Sequence, residues 1–136
     1  MKLARLFVLA ALACAPALRA GEAAPEVQAK FLKVIVSSSG SNRIACSDPA
    51  LRPALEALGL QVDGNAQVIW ATSVPEAKVS KAMGKLVVAG RRELASASCV
   101  LIEEEGGRPK LLLNTNNLRS SKVQLGDALL KLAEKI

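Results

Sequence analysis

The sequence predicts a single α/β domain, a mixed sheet of about five strands (three parallel plus a C-terminal antiparallel hairpin) flanked by helices. Two observations predict it. Between Arg43 and Ala89 strand-like runs alternate with helical segments, and each crossover is long enough for a βαβ unit, which makes the strands parallel with right-handed connections. From Ser98 onward an apolar run, a Gly-Gly turn and a second apolar run describe a hairpin, and a Leu-rich helical pattern follows it.

The elements follow in order. Helical spacing through Val27, Ala29, Phe31, Leu32, Val34 and Ile35 predicts a first helix, which the Ser- and Gly-rich residues 37–42 end. Arg43, Ile44, Ala45 and Cys46 read as a short buried strand. Ser47 or Asp48 with Pro49 opens a second helix, whose apolar face continues through Leu51, Leu55 and Leu58 to Gly59. Residues 67–72 form the next strand, Ser73 with Pro75 opens a helix to Met83, and Gly84 stops it. Residues 85–89 are the third parallel strand. Residues 98–102 and 109–113 are the arms of the hairpin, and the polar residues between them hold two glycines free to take positive φ. Finally, Val123, Leu125, Leu129, Leu130, Leu132, Ala133 and Ile136 predict a C-terminal helix, with Asp127 as its cap and Lys131 and Lys135 in its last turn.

The start of the chain predicts a compartment. Residues 1–20 run from a short basic segment through an apolar stretch to small residues, the pattern of a cleaved bacterial signal peptide, which leaves residues 21–136 as one periplasmic domain. Cys14 offers a second reading of the leader, as a lipoprotein acceptor. The apolar stretch is far below the roughly 20 residues that span a bilayer, so stable membrane insertion after cleavage is not expected. Without residues 1–20, which hold Lys2, Arg5 and Arg19, the 18 Lys and Arg fall to 15 against 12 Asp and Glu, a net charge of +3. With two Phe, one Trp and no Tyr to stack on bases, this modest charge predicts no nucleic-acid partner.

The chemistry is sparse. The absence of histidine removes Ser-His-Asp and Cys-His catalysis and the usual near-neutral acid and base. Cys46 and Cys99 lack Cys-x-x-Cys spacing, and no Gly-rich loop matches a nucleotide-binding fingerprint. The sequence therefore predicts no enzyme and no cofactor; catalysis by Asp48 and Glu76, or a metal on Glu103, Glu104 and Glu105, is the weakest class. In an oxidising compartment Cys46 and Cys99 are a candidate disulfide closing a loop of about 50 residues and adding roughly 3–4 kcal/mol. Two buried thiols on neighbouring strands fit the same apolar runs. Arg91 and Arg92 follow the third strand at its carboxyl end and are candidate contacts for an anionic ligand or an acidic partner. Residues 114–117 suit a cap and a chain reversal. Trp70, the sole Trp, is either a core residue or an interface anchor.

The C-terminal block carries a resemblance. Leu113 and Asn114 close the last strand, Val123 and Leu125 lead in, and Leu129, Leu130, Lys131, Leu132 and Ala133 continue the pattern. In that order they resemble the motif of the YfiR-like family of small bacterial periplasmic proteins, with Leu129 and Leu130 at its helix. Residues 85–89, 99–102 and 68–73 and the helix around Phe31 and Leu32 fall in the family's order too. The chain departs from the family in lacking an aromatic-Trp-Pro segment after the first helix, in having Ala97 and Ser98 where a Gly-Gly pair is usual, and in having Gly126 and Asp127 in place of a Ser-Ser pair. The resemblance implies a periplasmic homodimer that restrains an inner-membrane diguanylate cyclase through its periplasmic sensor domain. The expected function is thus a non-enzymatic regulator of a membrane signalling protein in cyclic-di-GMP signalling. The alternative is a small-molecule binding module, its ligand held near Ser47, Thr72 and Arg91.

Overall fold

A computed structural model of the chain describes residues 23–135. The predicted leader, Cys14 and Ile136 lie outside the described residues. The fold is α/β, a seven-stranded mixed sheet between layers of helix.

Helix α1 spans Pro25–Ser38 and opens with Pro in its first turn. Strand β1, Arg43–Cys46, follows the serine loop, as the apolar run predicts. Helix α2 begins only at Arg52 (Arg52–Ala57), later than Pro49 suggests. The reason is Asp48, whose Oδ1 accepts from the Ala50 N–H at 2.9 Å and folds residues 48–51 into a turn first. Strand β2, Gln61–Val62, leads to β3, Val68–Trp70, and helix α3 spans Val74–Ala82. Strand β4, Leu86–Ala89, is joined by a 3-10 turn over Arg92–Ala97 to β5, Val100–Glu105. Strand β6, Arg108–Leu113, returns antiparallel to it. The hairpin loop is only Gly106 and Gly107, both at positive φ, which is the geometry that matches the twist of the arms.

Two short helices and a final strand close the chain: α4, Thr115–Ser120, α5, Asp127–Leu132, and β7, Glu134–Lys135. The single C-terminal helix expected from Val123 is thus much shorter. Residues 121–126 are irregular because Ser121 Oγ accepts from the Val123 N–H and Ser38 Oγ accepts from the Gly126 N–H at 2.6 Å, fixing the backbone outside a helix. Ala133 is extended, which ends α5 and admits β7.

The strand order is β2-β1-β3-β4-β5-β6-β7, with every neighbouring pair parallel except β5 and β6. The two strands beyond the expected five are the edges β2 and β7. Each has two residues, too few for an alternating pattern to register. The chain moves outward from β1 to β2 and then back through β3, β4 and β5, so right-handed crossovers put α2 and α3 on opposite faces.

The two faces are built differently. On one, Leu32, Ile35 and Val36 of α1, Leu55 of α2 and Leu129 of α5 cover Ile44, Trp70, Val88, Val100 and Ile102. On the other, the alternate strand residues meet small partners under α3 and a leucine of the 3-10 turn. Val87 packs with Ala71, Ala77 of α3 and Ala97, and Ala89, Leu101 and Leu112 pack with Leu94 of the 3-10 turn.

Candidate functional site

The reversal of strand order lies between β1 and β3, and open α/β sheets hold ligands at the carboxyl ends there. Ser47 and Thr72 do converge at this point, but on a carboxylate of the chain itself. Glu76, in the first turn of α3, accepts from the Thr72 N–H at 2.9 Å and from Ser47 Oγ at 3.4 Å. Ser73 Oγ in turn accepts from the Glu76 N–H and caps the helix. A carboxylate therefore stands at the crevice where the small-molecule alternative needs a free recess with Arg91 beside it. Arg91 instead pairs with Glu93 at 3.5 Å.

Arg92 is engaged more fully. Its Nε and Nη2 donate to the two carboxylate oxygens of Glu103 at 2.6 and 2.9 Å, a bidentate pair that raises the guanidinium further above its usual range. The pair ties the 3-10 turn to β5. Beyond it, Lys110 donates to Glu105, which lowers the carboxyl and raises the ammonium. Two of the three carboxylates at residues 103–105 are therefore held by cations, and among the described residues no group of three potential ligands could hold a metal ion.

Trp70 is 3 % exposed and belongs to the core, so it offers no surface to a partner. It fills the space beside Gly90, where an added Cβ would stand 2.8 Å from both the indole Cη2 and Gln28 Nε2. The Gln28 amide is buried there, and its Nε2 has no hydrogen-bond partner among the described residues.

The cysteines are not bridged. Cys46 shares a row with Trp70, Val88 and Val100, so it lies three strand spacings, about 14 Å, from the start of β5 beside Cys99. A disulfide requires Cα atoms within about 7 Å, so this sheet order excludes the candidate bridge and leaves two free thiols. Burial pushes both thiols above their ordinary range; at Cys46 the neighbouring Asp48 and Glu76 carboxylates add to it.

The four motif residues at the C-terminal end are architectural. Leu113 and Leu129 are buried in the main core, and Leu130 packs against it. Asn114 caps α4, its Oδ1 accepting from the Asn117 N–H at 3.2 Å. Asn117 Nδ2 donates to the Ser96 and Ser98 carbonyls, each at 2.9 Å, which fastens α4 to the end of the 3-10 turn that leads into β5.

What sequence reasoning missed is on α3. Its inward residues are Ala77 and Ser80, while Pro75, Val79, Ala82 and Met83 point outward. Val79 is 61 % and Met83 56 % exposed. These positions lie at i, i+4, i+7 and i+8, one face of a helix, and Lys78 stands beside them. The buried positions of the helix are thus small, while its larger apolar side chains, Val79 and Met83, face outward. The signal was present as Ala77 and Ser80 at the core positions, where a helix that only covers a sheet carries Leu or Ile.

Clefts open elsewhere. One of about 560 Å³ lies at the opposite, amino ends of β1 and β3, lined by Arg43, Asp63, Gln67 and Lys122 among others. Arg43 and Asp63 pair across it at 3.5 Å. Among the described residues no helix is long and apolar enough to cross a membrane. Comparison with protein-family models and with curated proteins finds no match.

Proposed function

We propose that the chain is an exported, non-enzymatic regulatory protein that binds the periplasmic sensor region of an inner-membrane signalling protein of the diguanylate cyclase type and modulates its output. The observation that carries this reading is the outward apolar row of α3, Pro75, Val79, Ala82 and Met83. Single exposed apolar residues are ordinary, but four on one helix face, with small residues turned inward, suit a surface that is covered in use. The occupant it fits is an apolar patch of a receptor, with an acidic group opposite Lys78.

Three further points support it. The leader-like start of the sequence fits export, and the C-terminal pattern resembles periplasmic regulators. The polar groups at the carboxyl ends of the strands are occupied with one another, which suits a scaffold better than a reaction centre. Regulation by such a protein requires only a difference in its affinity for two receptor states, since equal binding shifts nothing.

The test is genetic and chemical. Deleting the gene is expected to raise cellular cyclic-di-GMP, and supplying the exported wild-type chain to lower it again. An unchanged nucleotide level in the deletion strain overturns the reading.

A further inference from the structure

The C-terminal third forms a second concave surface, remote in sequence from α3. Between α4, α5 and the end of β6 lies a cleft of about 640 Å³, within the size range of small-molecule sites. Its floor is apolar. Leu113 from β6, Leu118 from α4 and Leu130 from α5 line it, and all three belong to or pack against the main core. Its rim is basic. Arg119, Lys131 and Lys135 stand around it against one carboxylate, Asp127, and none of these cations has an ion-pair partner among the described residues.

This contrasts with the other basic residues near the sheet ends, Arg43, Arg92 and Lys110, each of which already meets a carboxylate. An apolar floor under unpaired cations has a definite chemical complement. A hydrated inorganic anion would leave the floor uncovered, a neutral apolar molecule would leave the cations unused, and a cation would be repelled. Lys and Arg stems also lie readily along an apolar wall with their charged heads at its mouth.

We propose that this cleft binds a single-chain anionic amphiphile, a carboxylate of the fatty-acid type, with its tail on Leu113, Leu118 and Leu130 and its head among Arg119, Lys131 and Lys135. Anionic lipid of a bilayer presents the same chemistry, and the experiment separates the two sources. The proposal does not depend on the docking role of α3, and the two fail independently.

Calorimetric titration of the purified chain with dodecanoate, below its micelle-forming concentration, is expected to give one site per chain. Acetate, which lacks the tail, and dodecyltrimethylammonium, which reverses the charge, are expected to give none. Replacing the three cations together (Arg119→Gln, Lys131→Gln, Lys135→Gln) should weaken dodecanoate by roughly tenfold or more with no change in melting temperature. Lys78→Gln on α3 should leave it unchanged. Failure of dodecanoate to bind, equal binding of the cationic amphiphile, undiminished binding by the triple variant, or binding confined to phosphatidylglycerol vesicles would each overturn the proposal.

Discussion

The two faces of the sheet use the same strands and reach opposite ends. On the α1 face, Leu32, Ile35, Leu55 and Leu129 interlock with Ile44, Trp70 and Ile102 in a core of large side chains. On the α3 face, Ala71, Ala77 and Ala97 meet Val87 in a thin layer, and the larger apolar groups of the helix, Val79 and Met83, face water. The first face is where stability resides, because stabilisation scales with the apolar area withdrawn from water. The second leaves apolar area exposed to solvent, the area we propose for a partner. A helix can thus join a fold through its small residues alone and leave its large ones outside the core.

The largest losses of stability are expected on the α1 face. Trp70→Ala should cost about 3–5 kcal/mol, the usual range for an aromatic truncated in a core, measured by urea unfolding. A loss below 1 kcal/mol would mean that Trp70 is not the packing centre that its burial indicates. Gly90→Ala probes the same place from the other side. A methyl group there collides with Trp70 and Gln28, and overpacking of this kind costs about 1–3 kcal/mol. A neutral result would show that α1 can move away from β4.

Smaller effects sharpen the contrast. Asn117→Ala strands the Ser96 and Ser98 carbonyls and should cost about 1–3 kcal/mol. Ser73→Ala removes the cap of α3 and should cost about 1 kcal/mol. The smallest effect belongs to the outward row: Val79→Asp with Met83→Asp should change stability by about 0.5 kcal/mol or less per site, as exposed substitutions do. A large loss would mean that the row is already covered within the chain.

The cysteines give a pH test. Their raised values keep both thiols protonated at neutral pH, so alkylation of Cys46 in the folded chain should be slow and should accelerate as the pH rises through the raised value. The linked contribution to stability is fully present below the ordinary thiol value and is lost as the pH rises through the raised one. Cys99, 1 % exposed, should react only on unfolding. Rapid labelling of Cys99 at pH 7 would contradict its burial.

Much of the fold was legible because local signals agreed with the tertiary result. The apolar run Arg43–Cys46 is β1, and Ser73 and Gly84 flank α3. The edge strands were not legible, because two-residue pairings carry no period. The C-terminal helix was overextended because the apolar spacing from Val123 is helical, while Ser121 and Ser38 hold that backbone elsewhere through contacts the sequence does not announce. Of the site residues, Trp70 lies in a strand as its run predicts, while Cys99 falls just before β5; the depth of both and their distance from other groups depend on strand order, which local pattern leaves open. Arg92 read as available because its partner Glu103 lies on the next strand. The row on α3 was hidden by the habit of assigning large apolar residues to the core.

We propose the outward row of α3 as the surface through which the chain acts. The most direct measurement is cellular cyclic-di-GMP in a strain lacking the gene, complemented with the exported wild type, with Val79→Asp/Met83→Asp, or with Leu132→Asp, whose leucine is 79 % exposed on α5 away from that row. The wild type and Leu132→Asp should lower the nucleotide alike, and the double variant should fail to do so while accumulating as a folded protein. Full repression by the double variant would contradict the account.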